Sequence, residues 1–162
     1  MSTYGVRVTK DHLVFAAGHF ITFNDDVCER LHGHNWHVAV EVEDELDKNH
    51  YVFDFIALLE MSRTIVAELD HRMLLPDSSG LIKVQDDGTN WRVVYRDRFW
   101  SFPKDECVVL PIPNTTTELI ATWFNARLRQ AILRRGLALP ELLRVEILEN
   151  LGQMAWSTWK SE

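Results

Sequence analysis

The sequence predicts an α+β fold in which an antiparallel sheet packs against two helices. Alternating apolar and polar residues predict strands near both ends of the chain, because successive strand side chains point to opposite faces. Apolar residues at three- and four-residue spacing predict two amphipathic helices between those strands. The order strand, strand, helix, hairpin, helix, strand, strand is typical of an α+β fold with an antiparallel sheet.

The four principal strands are predicted at residues 6–20, 32–43, 142–148 and 154–159. One face of the second strand carries apolar side chains and the other carries polar ones, which is typical of a half-buried antiparallel strand. The polar residues 24–26 connect the first two strands, so we expect these to form a hairpin-like pair. Together the four strands account for the antiparallel sheet.

The two helices have recognisable ends. Asp54 is the predicted N-cap of the first helix, which ends near Leu69. Thr115 and Glu118 have the spacing of a capping box and predict the start of the second helix. Residues 134–136, Arg-Arg-Gly, predict its end.

Between the helices, residues 81–85 and 91–95 flank a loop rich in turn formers and predict an accessory hairpin. The chain of 162 residues fits a single domain, residues 1–162, with this hairpin inside an insertion at roughly 77–110.

Composition excludes several classes of protein. Apolar residues make up 46% and charged residues 25%, as in a soluble globular protein. The net charge of −7 argues against nucleic-acid and anionic-membrane partners, which require basic surfaces. No stretch approaches the length of a membrane span, and the N-terminal segment lacks the apolar run of a secretory signal. With only two cysteines, Cys28 and Cys107, the expected location is the reducing cytoplasm.

The segment CERLHGHNWH, residues 28–37, concentrates one cysteine and three histidines. His32 and His34 leave the same face of a strand, and His19 on the preceding strand can converge with them if the strands pair. Three imidazoles with an open fourth position are typical of catalytic zinc, although imidazole also suits copper, iron and nickel. The alternative is a polar strand without a metal. His37 lies on the opposite face and is interpreted as a surface residue.

Cys28 has three possible roles. It could be a fourth ligand, which would make the metal site structural. It could instead be a thiolate base or nucleophile, because a nearby dication would lower its pKa. The third possibility is a small buried apolar residue.

Two further groups are candidates. Asp70 and His71 follow the first helix and could form a carboxylate–imidazole dyad, or His71 could simply be a favourable cation at a helix C-terminus. Glu149 ends an apolar strand and could bind the N–H edge of a heterocycle, or it could be a turn residue.

Segments along most of the chain together resemble the family of 6-pyruvoyltetrahydropterin and 6-carboxytetrahydropterin synthases. The matching segments are AAGHF, CERLHGHNW, VFDF, LDHRML, NTTTE and VEILEN. The resemblance implies zinc ligands at His19, His32 and His34. It implies a general base at Cys28 and a proton-transfer pair at Asp70 and His71. It implies a pterin-binding site lined by Glu149, Thr116, Thr117 and Glu118.

The resemblance also implies the tunnelling fold, a four-stranded antiparallel sheet with two helices on one face. Subunits of this fold form a homo-oligomer, a trimer or a dimer of trimers, with active sites between subunits. The implied reaction is zinc-dependent conversion of 7,8-dihydroneopterin triphosphate to 6-carboxy-5,6,7,8-tetrahydropterin, acetaldehyde and triphosphate, in the queuosine precursor pathway.

Other products and functions remain open. The three residues between Cys28 and His32 resemble the carboxy-forming enzymes, but Glu29 resembles family members that form 6-hydroxymethyldihydropterin for folate synthesis. A 6-pyruvoyltetrahydropterin synthase, another zinc hydrolase and a non-catalytic zinc-stabilised subunit are further alternatives. The insertion at 77–110 is interpreted as a solvent-facing elaboration or a subunit contact rather than a lid.

Overall fold

The structure, a computed structural model, describes residues 3–162. Its helices are α1 (Phe55–Leu69) and α2 (Thr117–Arg134). Its strands are β1 (Tyr4–Val8), β2 (Val14–His19), β3 (Thr22–Phe23), β4 (Val27–Cys28), β5 (His32–Asp44), β6 (Arg72–Pro76), β7 (Lys83–Asp86), β8 (Asn90–Tyr95), β9 (Arg98–Pro103), β10 (Cys107–Leu110), β11 (Leu142–Asn150) and β12 (Gln153–Lys160).

The main sheet has the order β10-β6-β2-β5-β11-β12, and β1 also pairs with β5. Its antiparallel part, formed by β1, β2, β5, β11 and β12, confirms the predicted α+β architecture. Two short strands extend it: β6 pairs parallel with β2, and β10 pairs parallel with β6. The sheet is therefore mixed, an extension that the sequence pattern did not predict.

The first predicted strand, residues 6–20, is wrong as a continuous element. It consists of β1 and β2, which pair with opposite ends of β5 and are separated by a turn. In this turn the Leu13 amide donates to the Lys10 carbonyl at 2.9 Å, and Val38 of β5 donates to the Leu13 carbonyl at 2.8 Å. The turn thus keeps the two strands on the same edge of β5.

Helix α1 begins as predicted, because the Asp54 carboxylate accepts hydrogen bonds from the amides of Ile56 and Ala57 at 2.8 and 3.3 Å. The predicted capping box of α2 is wrong. Its N-cap is Thr116, which makes no side-chain cap, and the Thr115 hydroxyl donates instead to the Phe20 carbonyl at 3.2 Å. That bond ties the start of α2 to the end of β2.

The two helices cover one face of the main sheet and bury its core. Phe15 and Trp36, on neighbouring strands, stack with ring centroids 5.8 Å apart. The opposite face is polar, with Arg7 bonded to Glu41 and Glu146. Within residues 3–162, neither helix is long and apolar enough to cross a membrane.

The insertion forms a three-stranded antiparallel meander, β7-β8-β9, rather than a two-stranded hairpin. The third strand pairs along its whole length with β8. Val93 and Tyr95 of the meander, with Ile82 just before it, form an apolar cluster with Phe20 and Cys28. The interpretation of the insertion as purely solvent-facing is therefore wrong for one of its faces, because that face covers the β4 segment.

Candidate functional site

Three imidazoles converge at one end of the main sheet. His19 of β2 lies directly opposite His32 of β5 in the antiparallel register, and Ala17 lies opposite His34. The ring centroids are 4.7 Å apart for His19 and His32, 5.4 Å for His19 and His34, and 4.8 Å for His32 and His34. The structure thus brings together the three predicted metal ligands.

Main-chain carbonyls orient two of these rings. His19 Nδ1 lies 2.9 Å from the Thr115 carbonyl oxygen, and His32 Nδ1 lies 2.9 Å from the Arg30 carbonyl oxygen. A carbonyl only accepts hydrogen bonds, so both Nδ1 atoms carry a proton, and in the neutral imidazoles both Nε2 atoms present lone pairs. These two Nε2 atoms are 3.2 Å apart. Two facing lone pairs repel each other unless a cation lies between them, so the arrangement fits a metal ion.

The third imidazole points to the same conclusion. His34 Nε2 is buried and has no hydrogen-bond partner among residues 3–162. It lies 3.3 Å from Glu149 Oε1 without forming a hydrogen bond. An unpaired buried nitrogen is costly, and a metal would satisfy it. Burial also lowers the pKa of His19, which favours the neutral imidazole that a metal requires.

Gly33 lies between the two histidines of β5 and allows the strands to approach closely. A Cβ at this position would lie 3.2 Å from the Ala17 carbonyl oxygen. That oxygen also accepts a hydrogen bond from Trp36 Nε1 at 3.2 Å. A side chain at Gly33 would therefore push β2 away from β5 where the imidazoles meet.

Glu149, at the end of β11, points toward the histidines. Its Oε1 lies 3.2 Å from His19 Nε2, while its Oε2 accepts a 2.9 Å hydrogen bond from the Thr117 hydroxyl. Donor atoms of Glu149 and the three histidines all lie within 4.8 Å of one another. The carboxylate can therefore close the fourth metal position or bind a ligand beside it.

Cys28 is absent from this group of metal donors in the described part of the chain. Its side chain lies in the apolar cluster beneath the meander, and its Sγ lies 3.5 Å from the Glu29 carbonyl. Burial raises the pKa of the Cys28 thiol, and nearby Arg98 offsets this only in part. The sequence-based expectation of a lowered thiol pKa depended on a metal ion close to the sulfur, and it stays a prediction.

Glu29, the neighbour of Cys28, lies beside the His32 ring. Its Oε2 accepts a hydrogen bond from the Ile21 amide at 3.2 Å and lies 3.9 Å from His32 Nδ1. Adjacent residues of an extended segment point to opposite sides, so Cys28 lies in the apolar cluster while Glu29 lies beside His32.

Asp70 and His71 form the predicted pair. Asp70 Oδ2 lies 3.0 Å from His71 Nδ1, and Asp70 Oδ1 accepts from the Ala16 amide at 2.8 Å. Burial alone would raise the pKa of Asp70, but the bonds from Ala16 and His71 outweigh it and lower that pKa. His71 has a positive φ of 57° and a largely exposed ring.

A cleft of about 650 Å³ is lined by two of the three converging histidines, His32 and His34. His71 and Arg72 also line it. Phe102 and Glu106 of the insertion complete the wall. The cleft is large enough for a bicyclic ring with a short side chain.

Comparison with known proteins identifies the family of the chain. The family profile described as 6-pyruvoyl tetrahydropterin synthase matches residues 7–159. The chain belongs to this family. Among curated members, a Pyrococcus horikoshii protein provisionally named 6-carboxy-5,6,7,8-tetrahydropterin synthase is 34% identical over 117 residues, which are 72% of this chain and 69% of that protein. A Pyrococcus furiosus dihydroneopterin monophosphate aldolase is 31% identical over 116 residues, 72% and 69% of the two chains.

Among solved structures of the family, Plasmodium vivax 6-pyruvoyltetrahydropterin synthase superimposes with a TM-score of 0.92 at 28% identity, covering 99% of this chain and 100% of that chain. That structure is of a variant in which a glutamate, described as a catalytic residue, is replaced by alanine. The similarity confirms the predicted tunnelling fold.

Sequence reasoning missed some contacts of the family site. It did not identify the Thr115 carbonyl as the partner of His19. Every residue has a main-chain carbonyl, so the residue type at position 115 does not predict this contact. It did not identify Arg98, whose Nη2 donates to the Cys28 carbonyl at 3.0 Å. Of the residues expected to line the pterin site, Thr117 contacts Glu149, whereas Glu118 is exposed at the start of α2.

Proposed function

We propose that the chain is a zinc-dependent lyase that cleaves the side chain of 7,8-dihydroneopterin triphosphate. The observation that supports this most directly is the convergence of three imidazole nitrogens beside the Glu149 carboxylate, with His32 and His34 also lining a pterin-sized cleft. Membership of the pterin synthase family supports the substrate class.

In this proposal, zinc is held by His19, His32 and His34, whose donor set suits it. When bound, zinc supplies Lewis-acid polarisation of the side-chain oxygens of the substrate. The residues around it supply the remaining steps.

Glu149 binds the pterin ring. Its carboxylate accepts two parallel hydrogen bonds from the 2-amino group and the adjacent ring N–H. The Thr117 hydroxyl orients the carboxylate through its 2.9 Å hydrogen bond, and Thr116 and Glu118 contribute the rim at the start of α2.

Glu29 is the general base that the geometry favours, because it lies on the histidine side of its segment. It removes the proton of the side-chain 2′-hydroxyl. The C1′–C2′ bond then breaks, and its electron pair moves to C1′, which is stabilised by the adjacent ring imine. Protonation of C1′ gives 6-hydroxymethyl-7,8-dihydropterin, and C2′ leaves as a triphosphorylated glycolaldehyde. The catalytic glutamate of the Plasmodium vivax relative and the aldolase name of the Pyrococcus furiosus relative support this route.

A second candidate is formation of 6-carboxy-5,6,7,8-tetrahydropterin, with release of acetaldehyde and triphosphate for the queuosine precursor pathway. The name of the Pyrococcus horikoshii relative favours it. This route uses Cys28 as the base, so the thiol would have to leave the apolar cluster. A 6-pyruvoyl product would require the same movement.

Asp70 and His71 relay protons in either route. The Asp70 carboxylate holds the His71 ring by its Nδ1, which leaves Nε2 free to exchange a proton with the substrate. The exposure of His71 to the cleft suits a group that exchanges protons with substrate and solvent.

The active form is a homo-oligomer in this proposal, a trimer or a dimer of trimers in the reducing cytoplasm. Strand β12 ends the main sheet with Trp156 61% exposed, which supports a subunit contact there. Native mass spectrometry should detect a multiple of three subunits; a monomer would contradict this part of the proposal.

Product analysis tests the reaction. Zinc-loaded protein is incubated with 7,8-dihydroneopterin triphosphate, and the pterins are identified by mass spectrometry beside Cys28→Ala and Glu29→Gln. We expect 6-hydroxymethyldihydropterin, retained in Cys28→Ala and reduced about a hundredfold or more in Glu29→Gln. A carboxy product that depends on Cys28 would favour the second candidate. No pterin product from the wild type would contradict both.

A further inference from the structure

The β4 segment carries Cys28 and leads directly into Glu29. The register of this segment therefore decides which of these two side chains points toward the histidines. Strands β3 and β4 pair at two positions, Thr22 with Cys28 and Phe23 with Val27, and one more main-chain bond follows, from the Glu29 amide to the Ile21 carbonyl at 2.9 Å. A two-residue pairing is weak by itself. A shift of one residue would reverse the sides to which Cys28 and Glu29 point.

The meander attaches to this segment at two points. Arg96 forms an ion pair with Asp26, just before β4. Arg98 donates from Nη2 to the Cys28 carbonyl oxygen at 3.0 Å. The second bond is made to the main chain at the residue whose orientation matters, so it fixes the register directly.

The Arg98 guanidinium is itself held between aromatic rings. Its central carbon lies 5.0 Å from the Tyr95 ring centroid and 5.5 Å from that of Trp100. Trp100 stacks on Phe20 with centroids 4.6 Å apart, and Phe20 follows the metal-site residue His19. The arginine is therefore preorganised against the same chain segment that carries the histidines.

We propose that Arg98 is a positioning residue that holds the Cys28 thiol inside the apolar cluster and leaves Glu29 as the side chain presented to the histidines. The insertion thereby selects the base of the reaction, and so the product. This second statement rests on the proposed function, whereas the orientation of Cys28 can be measured without it.

Thiol labelling tests the orientation. In a Cys107→Ala background, Cys28 is the only thiol, and its rate of reaction with a small alkylating reagent is measured on zinc-loaded protein. When the alkylation rate is measured over a range of pH, a change in the ionisation of the Cys28 thiol can be separated from a change in its exposure. We expect Arg98→Ala to react about tenfold faster, because a hydrogen bond from a charged donor is lost. Arg98→Lys, which keeps a charged donor, should restore part of the protection.

Arg92→Ala is the matched control. Arg92 lies on the exposed side of the same meander, 5.5 Å from the Phe99 ring, and makes no hydrogen bond to Cys28 among residues 3–162. Its removal should leave the labelling rate unchanged. An unchanged rate in Arg98→Ala, or an equal increase in Arg92→Ala, would overturn the proposal. Should Arg98→Ala fail to fold, Arg98→Gln keeps an amide donor and should show intermediate protection.

Product partition tests the consequence. With 7,8-dihydroneopterin triphosphate, Arg98→Ala should raise the ratio of Cys28-dependent product to 6-hydroxymethyldihydropterin about tenfold over wild type. A merely structural role would lower both products together, and that result would overturn the selection of base. Faster labelling in a protein that forms no pterin product would instead refute the proposed function and leave the positioning role of Arg98 intact.

Discussion

The histidine corner and the β4 segment are neighbours in the chain, yet they are held in place in different ways. The histidine corner, formed by His19, His32 and His34, depends on the register of two well-paired strands and on nearby main-chain carbonyls. The β4 segment depends on a two-residue pairing, on the bonds between Glu29 and Ile21, and on Arg98, 70 positions away. Metal binding should therefore be robust, whereas the choice between Cys28 and Glu29 should be sensitive to changes in the insertion.

The largest expected effect is the loss of metal from the histidine corner. We expect His34→Ala to reduce zinc from about one ion per chain to near zero after dialysis, because two imidazoles rarely retain zinc. Metal content by mass spectrometry measures this. His37→Ala, on the opposite face of the same strand, should retain full zinc content. Equal loss in both variants would contradict the assignment.

Replacement of Glu149 separates a metal ligand from a pterin anchor. We expect Glu149→Gln to raise KM for the pterin about tenfold or more at unchanged zinc content, because a charged acceptor becomes a neutral one. Thr117→Val, which removes only the 2.9 Å bond to the carboxylate, should show a smaller rise. Loss of zinc from Glu149→Gln would show instead that the carboxylate is the fourth ligand.

A methyl group at Gly33 tests the role of strand register. The added Cβ would lie 3.2 Å from the Ala17 carbonyl oxygen, so Gly33→Ala should weaken zinc binding about tenfold. It should also lower the free energy of unfolding by roughly 1 kcal/mol. Gly80→Ala is the control, because nothing lies within 4 Å of that Cβ. Equal zinc affinity in both variants would show that the register tolerates the methyl group.

The smallest effect is expected on the opposite face of the sheet. The hydrogen bond from Arg7 lowers the pKa of Glu146. Its stabilisation is therefore present above the ordinary pKa of glutamate and is lost as pH falls through the lower folded-state pKa. Glu146→Gln should remove this pH-dependent stability, less than about 1 kcal/mol at neutral pH, without changing zinc content. Denaturant unfolding at several pH values measures it; Glu141→Gln, an exposed glutamate, should behave as wild type.

The sequence predicted the histidine corner because its determinants are local. Two-residue spacing places His32 and His34 on one face, and pairing of neighbouring strands brings His19 opposite. Asp54 likewise caps α1 through its own side chain. Strands β6 and β10 were not predicted, because short apolar runs carry no periodicity that separates strand from loop.

The orientation of Cys28 could not be predicted for a different reason. A two-residue strand has no periodic pattern, and the side that it buries is decided by a meander distant in sequence. Glu149 was recognised as a site residue, but its approach to His19 depends on the position of Thr117 at the start of α2. Tertiary contacts decide both cases.

The central claim is that three imidazole nitrogens bind a single zinc ion without the Cys28 sulfur. X-ray absorption spectroscopy of the zinc-loaded protein tests it directly. We predict only nitrogen and oxygen neighbours at about 2.0–2.2 Å, with histidine multiple scattering. A sulfur neighbour at about 2.3 Å, lost in Cys28→Ala, would contradict the claim.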